Sequence, residues 1–235
     1  MRRSSLSEGI DGHHGHVPAN GHSTLGYLSL PSTGNGPRLL VVQEWWGLVD
    51  HIKWAADRFA ALGFVALAPD FYDGRQAKSP DEAGKLFMTL NIDRAGADLR
   101  GAADYVLALP AVTSTRVGTL GFRMGGQLAL YAAVEYPERI GAAVDFYGIH
   151  PKVPIDPAKL KVPVLGHLRL EDPSVNEADA RALVDRLRAG AAEASAFFYA
   201  TGHAFFNDTR PEAYSEKDAA AAWQRSADFL KKHLA

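Results

Sequence analysis

Gly121-Phe122-Arg123-Met124-Gly125-Gly126 follows a short apolar run at residues 116–120 and leads directly into Gln127-Leu128-Ala129-Leu130. Glycines two before and two after a central residue permit the sharp strand-to-helix turn of a nucleophile elbow, which thrusts that residue into a crevice. A serine or cysteine belongs at the centre, aimed at a carbonyl carbon, with N–H groups at the helix N-terminus ready to hold an oxyanion. Arg123 stands there instead. Glycine-rich turns of this kind also serve packing or phosphate binding, so the rest of the chain has to decide the matter.

Outward from the turn, short apolar runs alternate with longer amphipathic periods. Residues 26–30 and 39–43 read as strands, separated by Pro31-Ser32-Thr33-Gly34-Asn35-Gly36-Pro37, which predicts a hairpin-like opening. Asp50 is placed to cap a helix over residues 51–62 whose Ile52, Ala55, Ala56, Phe59 and Ala60 share one side, with Gly63 as its stop. A strand at 64–68, helices at 81–88 and 94–109, the strand at 116–120 and a helix at 125–135 follow. Strands at 142–146 and 162–166, a helix at 177–189, a strand at 196–199 and a closing helix at 218–233 complete the pattern. This alternation predicts an α/β fold with a mostly parallel sheet covered by helices on both faces. In such sheets ligands bind beyond the carboxyl ends of the strands, so the loops that follow strands carry the chemistry.

Composition narrows the function class. Of 235 residues, 47% are hydrophobic and 22% charged, enough for a sizeable core and far from a disordered chain. Lys and Arg total 25 against 27 Asp and Glu, for a net charge of −2, so the basic footprint of a nucleic-acid binder is missing. The chain has no cysteine, which excludes disulfides, thiolate metal sites and a cysteine nucleophile. No stretch is long and apolar enough to span a membrane, and Met1-Arg2-Arg3-Ser4-Ser5 opens no signal peptide, so a cytoplasmic location is expected. Residues 1–22, with His13, His14, His16 and His22, show neither a strand nor a helix period and read as a flexible or edge-pairing arm before a single domain at 23–235. The imidazoles lack a framework that would fix them as metal ligands. No dinucleotide or phosphate-loop fingerprint is present, so no cofactor is expected. A monomer or homodimer is expected.

Two further loops complete a constellation. Gly166-His167-Leu168-Arg169-Leu170-Glu171-Asp172-Pro173 offers an acid after one strand, and Ala200-Thr201-Gly202-His203-Ala204-Phe205 a histidine after the last. The order elbow, acid, histidine is that of an α/β-hydrolase triad. Together with Val41-Val42-Gln43-Glu44-Trp45-Trp46-Gly47, Ala68-Pro69-Asp70-Phe71-Tyr72 and Tyr147-Gly148, these pieces resemble the dienelactone hydrolase family over about residues 24–234. The resemblance implies an α/β-hydrolase fold and hydrolysis of lactones or carboxylic esters. It implies His203 as general base, Asp172 as the group that orients it, and Glu44 as the carboxylate that restrains and helps activate the nucleophile. The backbone N–H groups of Trp45 and Met124 correspond to the oxyanion hole.

Arg123 breaks the pattern. A guanidinium stays protonated and has no lone pair for attack on a carbonyl. Neither Phe122 nor Met124 can substitute, so the covalent route is expected to be blocked. Three readings follow: a hydrolase disabled at its nucleophile; a non-catalytic relative that holds an anion on Arg123 at a helix N-terminus; or non-covalent hydrolysis in which His203 activates water. A charged arginine in such a site is expected to pair with Glu44 or turn to solvent. Family members that act on dienelactone hold its carboxylate with arginines, one of them four residues after the catalytic histidine, where this chain has Asn207. An apolar cleft lined by Trp45, Trp46, Phe71, Tyr72, Phe87, Phe205 and Phe206 is therefore expected to favour neutral or aromatic small-molecule esters or lactones.

Overall fold

The structure, a computed structural model, describes residues 11–19, 22–110, 112–150, 152–169, 177–190, 193–200 and 204–234. Eight strands form one sheet: β1 (Asp11–Ala19), β2 (His22–Leu30), β3 (Gly36–Val42), β4 (Val65–Pro69), β5 (Val112–Phe122), β6 (Ile140–Phe146), β7 (Val164–Arg169) and β8 (Ala194–Tyr199). Among the described residues, six α-helices accompany them: α1 (Asp50–Ala61), α2 (Pro80–Thr89), α3 (Ile92–Ala108), α4 (Met124–Glu135), α5 (Glu177–Gly190) and α6 (Glu216–Leu234).

The spatial order is β1-β2-β4-β3-β5-β6-β7-β8. Strands β3 to β8 pair in parallel, while β2 runs antiparallel to both β1 and β4. Strands β4 and β6 are buried at every residue, as parallel strands covered on both faces must be. Leu99, Ala102 and Val106 of α3 and Leu128 and Ala132 of α4 pack into one apolar layer. Ile52, Ala55 and Phe59 of α1 and Trp223 and Leu230 of α6 pack into the other. No described helix is long and apolar enough to cross a membrane.

Two expectations are corrected, and a third is decided between its alternatives. The opening is not a hairpin, because β4, returning through α1, takes the place beside β2 and separates it from β3. Of the flexible and edge-pairing readings of the N-terminal arm, residues 11–19 take the second, forming edge strand β1 in register from Asp11 opposite Leu30 to Ala19 opposite His22, while residues 1–10 lie outside the described residues. Its pairing rests on backbone hydrogen bonds, and most of its described side chains face solvent, so it needs little apolar alternation; Val17 joins the core. Helix α1 begins after Val49, whose side chain makes no cap, and Asp50 lies in the first turn, where its charge opposes the positive end of the helix dipole.

Candidate active site

Strand β3 leads by way of α1 to one side of the sheet, and β5 opens the progression to the other, so the switch in strand order falls between them, where α/β sheets place their ligand crevices. Val42 pairs with Gly121, and Phe122 with Phe146, so Glu44, Arg123 and Tyr147 all leave the sheet at the same edge.

The turn at Arg123 has the backbone expected of an elbow. Arg123 sits at φ 52°, ψ −122°, a conformation costly for a residue with a side chain and held by its surroundings. Its N–H donates to the carbonyl of Phe146 (2.9 Å), and its own carbonyl accepts from Gly126 (2.9 Å) and Gln127 (3.2 Å). The glycines are a steric requirement. A Cβ on Gly121 would lie 2.0 Å from the carbonyl oxygen of Gly125, one on Gly125 would lie 2.3 Å from that of Gln43, and one on Gly148 would lie 2.3 Å from that of Arg123. Buried Asp145 braces the same loop by accepting from the Gly148 N–H (2.8 Å), and burial raises its carboxyl well above the usual carboxylate range.

Arg123 is half-buried, with its guanidinium carbon 4.8 Å from the centre of the half-buried Trp45 ring, which meets Trp46 edge-on at 5.4 Å. The same cation acts on two neighbours. It lowers the pKa of His150, third in effect behind burial and Lys152, and it opposes the strong upward push of burial and Glu44 on the Tyr147 hydroxyl. Of the two placements expected for Arg123, a hydrogen-bonded pair with Glu44 is not the one adopted. Glu44 is buried, its Oε1 accepts from Asn207 Nδ2 at 3.5 Å and faces His51 Nε2 at 3.9 Å, and its Oε2 has no hydrogen-bond partner among the described residues.

Met124 opens α4, and neither its N–H nor that of Trp45 donates to a backbone carbonyl among the described residues. Asp172 and His203 lie outside the described residues. They follow the carboxyl ends of β7 and β8 by three and four residues.

The side chains expected to line a cleft divide. Trp46 is half-exposed. Phe87 is buried edge-on against His150, with ring centres 4.4 Å apart, and Tyr72 is buried with its hydroxyl 3.8 Å from Met124 Sδ. Phe71 is buried, and Phe205 and Phe206 are corrections: Phe205 has no exposed surface and packs on Tyr199 (4.6 Å) and Tyr147 (5.5 Å), and Phe206 packs on Phe146 (4.9 Å) and Phe122 (5.3 Å), both in the core. Asn207 is buried too; its Oδ1 accepts from Thr209 while its amide reaches Glu44, so it works within the protein. Sequence reasoning missed His51, which lies on the buried side of α1 beside Ile52; its signal was a histidine one position before an apolar stripe.

The comparisons agree with this geometry. The protein is similar to "Protein usf" of Aquifex pyrophilus, 35% identical with 92% of this chain and 96% of the relative covered. It is similar to a "Putative carboxymethylenebutenolidase" of Aquifex aeolicus, 34% identical with 92% and 96% covered. Among solved structures it resembles a "Putative Dienelactone Hydrolase" of Klebsiella pneumoniae, at TM-score 0.84 and 26% identity, with 95% of this chain and 99% of that one covered. The pattern of the dienelactone hydrolase family matches residues 25–234, a span that holds the elbow, the β3 loop with Glu44 and every strand from β3 to β8, and the chain belongs to that family.

Proposed function

We propose that the protein is built to hydrolyse carboxylic esters or lactones by attack from the side chain at position 123, and that Arg123 arrests this chemistry. The observation that carries the reading is the elbow backbone. A left-handed residue between glycines whose Cβ atoms would strike backbone oxygen is a strained device, and it makes chemical sense when the residue at its tip has to reach a substrate carbon.

With Cys or Ser at the tip, the sequence of events follows from the parts. The nucleophile attacks the acyl carbon, and His203 takes its proton while Asp172 holds the ring. The carbonyl oxygen, now an anion, receives the N–H groups of Trp45 and Met124. His203 returns the proton to the departing alkoxide, and water then releases the acyl group. Arg123 supplies no lone pair for the first step, and its guanidinium, beside the Trp45 ring, puts a cation at the tip of the elbow. Neutral, partly aromatic esters suit the half-exposed Trp45 and Trp46 better than a small anionic lactone does, since Asn207 is spent on Glu44 and Thr209.

The test is stopped-flow hydrolysis of a neutral chromogenic aryl ester by the parent chain and by its Arg123→Cys and Arg123→Ser variants. Turnover with a burst only in the variants is the expected result. Equal turnover without a burst in the parent overturns the covalent reading in favour of water activated by His203. A parent that binds the carboxylate product tightly while all three chains stay inert favours an anion-binding role for Arg123.

A further inference from the structure

His51 lies in the first turn of α1, 1% exposed, between two carboxylates. Its Nε2 is 3.9 Å from Glu44 Oε1, and its Nδ1 is 3.9 Å from Asp208 Oδ1. Neither ring nitrogen has a hydrogen-bond partner among the described residues. A buried polar atom without a partner is costly, and two on one ring call for an explanation. The ring is kept in place by its neighbours: Phe122 of β5 at 5.3 Å, Phe206 at 6.1 Å and Trp54 at 6.3 Å between ring centres.

The two carboxylates belong to different environments. Glu44 is sealed inside beside the elbow, while Asp208 is 21% exposed and lines a surface pocket of about 130 Å³ together with Trp54, Arg58, Tyr214 and Glu216. Among the described residues, the charged groups that face His51 are therefore Glu44 from the β3 loop and Asp208 from the segment after β8. Arg58, on the same helix as His51, is held down to about 10 by burial against the opposing charges of Tyr214 and Asp208.

We propose that His51 is a positioning residue that couples the charge of Glu44 at the elbow to Asp208 at the surface, by carrying a proton between them. A solvent proton arriving at the Asp208 end binds Nδ1, the imidazolium so formed gives the proton on Nε2 to Glu44 Oε1, and the ring is left neutral in its other tautomer. No other bond changes. Closing either 3.9 Å gap to hydrogen-bonding distance takes a movement of about 1 Å. The link to catalysis rests on the hydrolase reading above; the coupling itself does not.

The experiment separates the two. In the parent chain, carrying glutamate labelled with carbon-13 at its carboxyl, the Glu44 signal is assigned by its loss in Glu44→Gln and titrated by NMR. The expected result is that Asp208→Asn moves the Glu44 midpoint by about 0.5 pH unit or more, and by less than half as much in a His51→Gln chain. His51→Phe, which keeps a ring among Phe122 and Phe206, provides the same comparison if His51→Gln does not fold. No movement, or equal movement with and without His51, overturns the proposal. In the Arg123→Cys chain the acid limb of kcat/KM should shift on Asp208→Asn in the same His51-dependent way. An inert Arg123→Cys chain sinks the hydrolase reading and leaves the NMR result standing, whereas a working one without coupling sinks only the relay.

Discussion

The guanidinium of Arg123 stacks 4.8 Å over the Trp45 ring, so the side chain at the elbow tip is held against the aromatic wall of the crevice while buried Glu44, the residue before Trp45, keeps to His51 and Asn207. A cation–π contact at such a half-exposed place contributes about 0.5–1 kcal/mol. The elbow backbone does not depend on it, because its hydrogen bonds run through main-chain atoms.

Replacing Arg123 by Cys should therefore leave the fold intact and change the chemistry. Aryl-ester kcat/KM is expected to rise at least about 10³-fold, the order of what a triad loses with its nucleophile. Tryptophan fluorescence should change with the loss of the stacked cation, while the urea midpoint moves little. Steady-state kinetics and one unfolding curve check both.

Gly125→Ala should be severe. Its Cβ would meet the carbonyl oxygens of Gln43 at 2.3 Å and Val42 at 2.5 Å, and neither is the end of a flexible side chain. A loss of about 3 kcal/mol or more is expected in urea denaturation. Gly84→Ala is the contrast: that position is inside α2 with open space around it, so the same change should stabilise by about 0.5–1 kcal/mol.

His167 predicts an acid limb of stability. Ser226 donates its hydroxyl proton to the Ala222 carbonyl (2.8 Å), so its oxygen accepts from His167 Nε2 (3.0 Å). Tyr199 accepts from Arg225 (2.9 Å) and donates to Nδ1 (2.9 Å). The ring is thereby held neutral, and burial, aided by Arg225, lowers its pKa from 6.5 to about 3. Between those values the unfolded chain binds a proton that the native ring refuses. The stabilisation is thus complete above pH 6.5 and is lost as pH falls toward 3, at up to about 1.4 kcal/mol per unit. Urea midpoints at pH 7.5 and 5 should differ less in His167→Gln than in the parent.

Arg38 should resist conservative exchange. It is fully buried and donates to the carbonyls of Val106, Gly36 (3.3 Å) and Leu109 (3.0 Å), at the C-terminal end of α3 where a cation is favoured. Arg38→Lys has one nitrogen to offer where a fork reached three oxygens. Both Arg38→Lys and Arg38→Ala are expected to cost about 2–4 kcal/mol, read from denaturant midpoints.

The elements of the α/β pattern were legible because a parallel strand buried on both faces is a continuous apolar run, as in β4 and β6, and such runs cannot be mistaken for solvent-facing helix. Strand β1 could be read only as a flexible or edge-pairing arm because an edge strand of His and Gly satisfies its backbone without an apolar face. The place of β4 beside β2 escaped for another reason: a turn-rich linker looks the same whether the flanking strands pair with each other or are parted by a third.

The site divides in the same way. Sequence alone determined the elbow frame, the order of elbow, acid and histidine, and the absence of a nucleophile at position 123, because these depend on residue type and spacing along the chain. Only the tertiary structure decided that Phe205 is core, that Asn207 serves Glu44 from 163 positions away, and that His51 lies between Glu44 and Asp208. Such contacts are made by side chains that meet only when distant loops close over one sheet edge, and no local period encodes which of them will face each other.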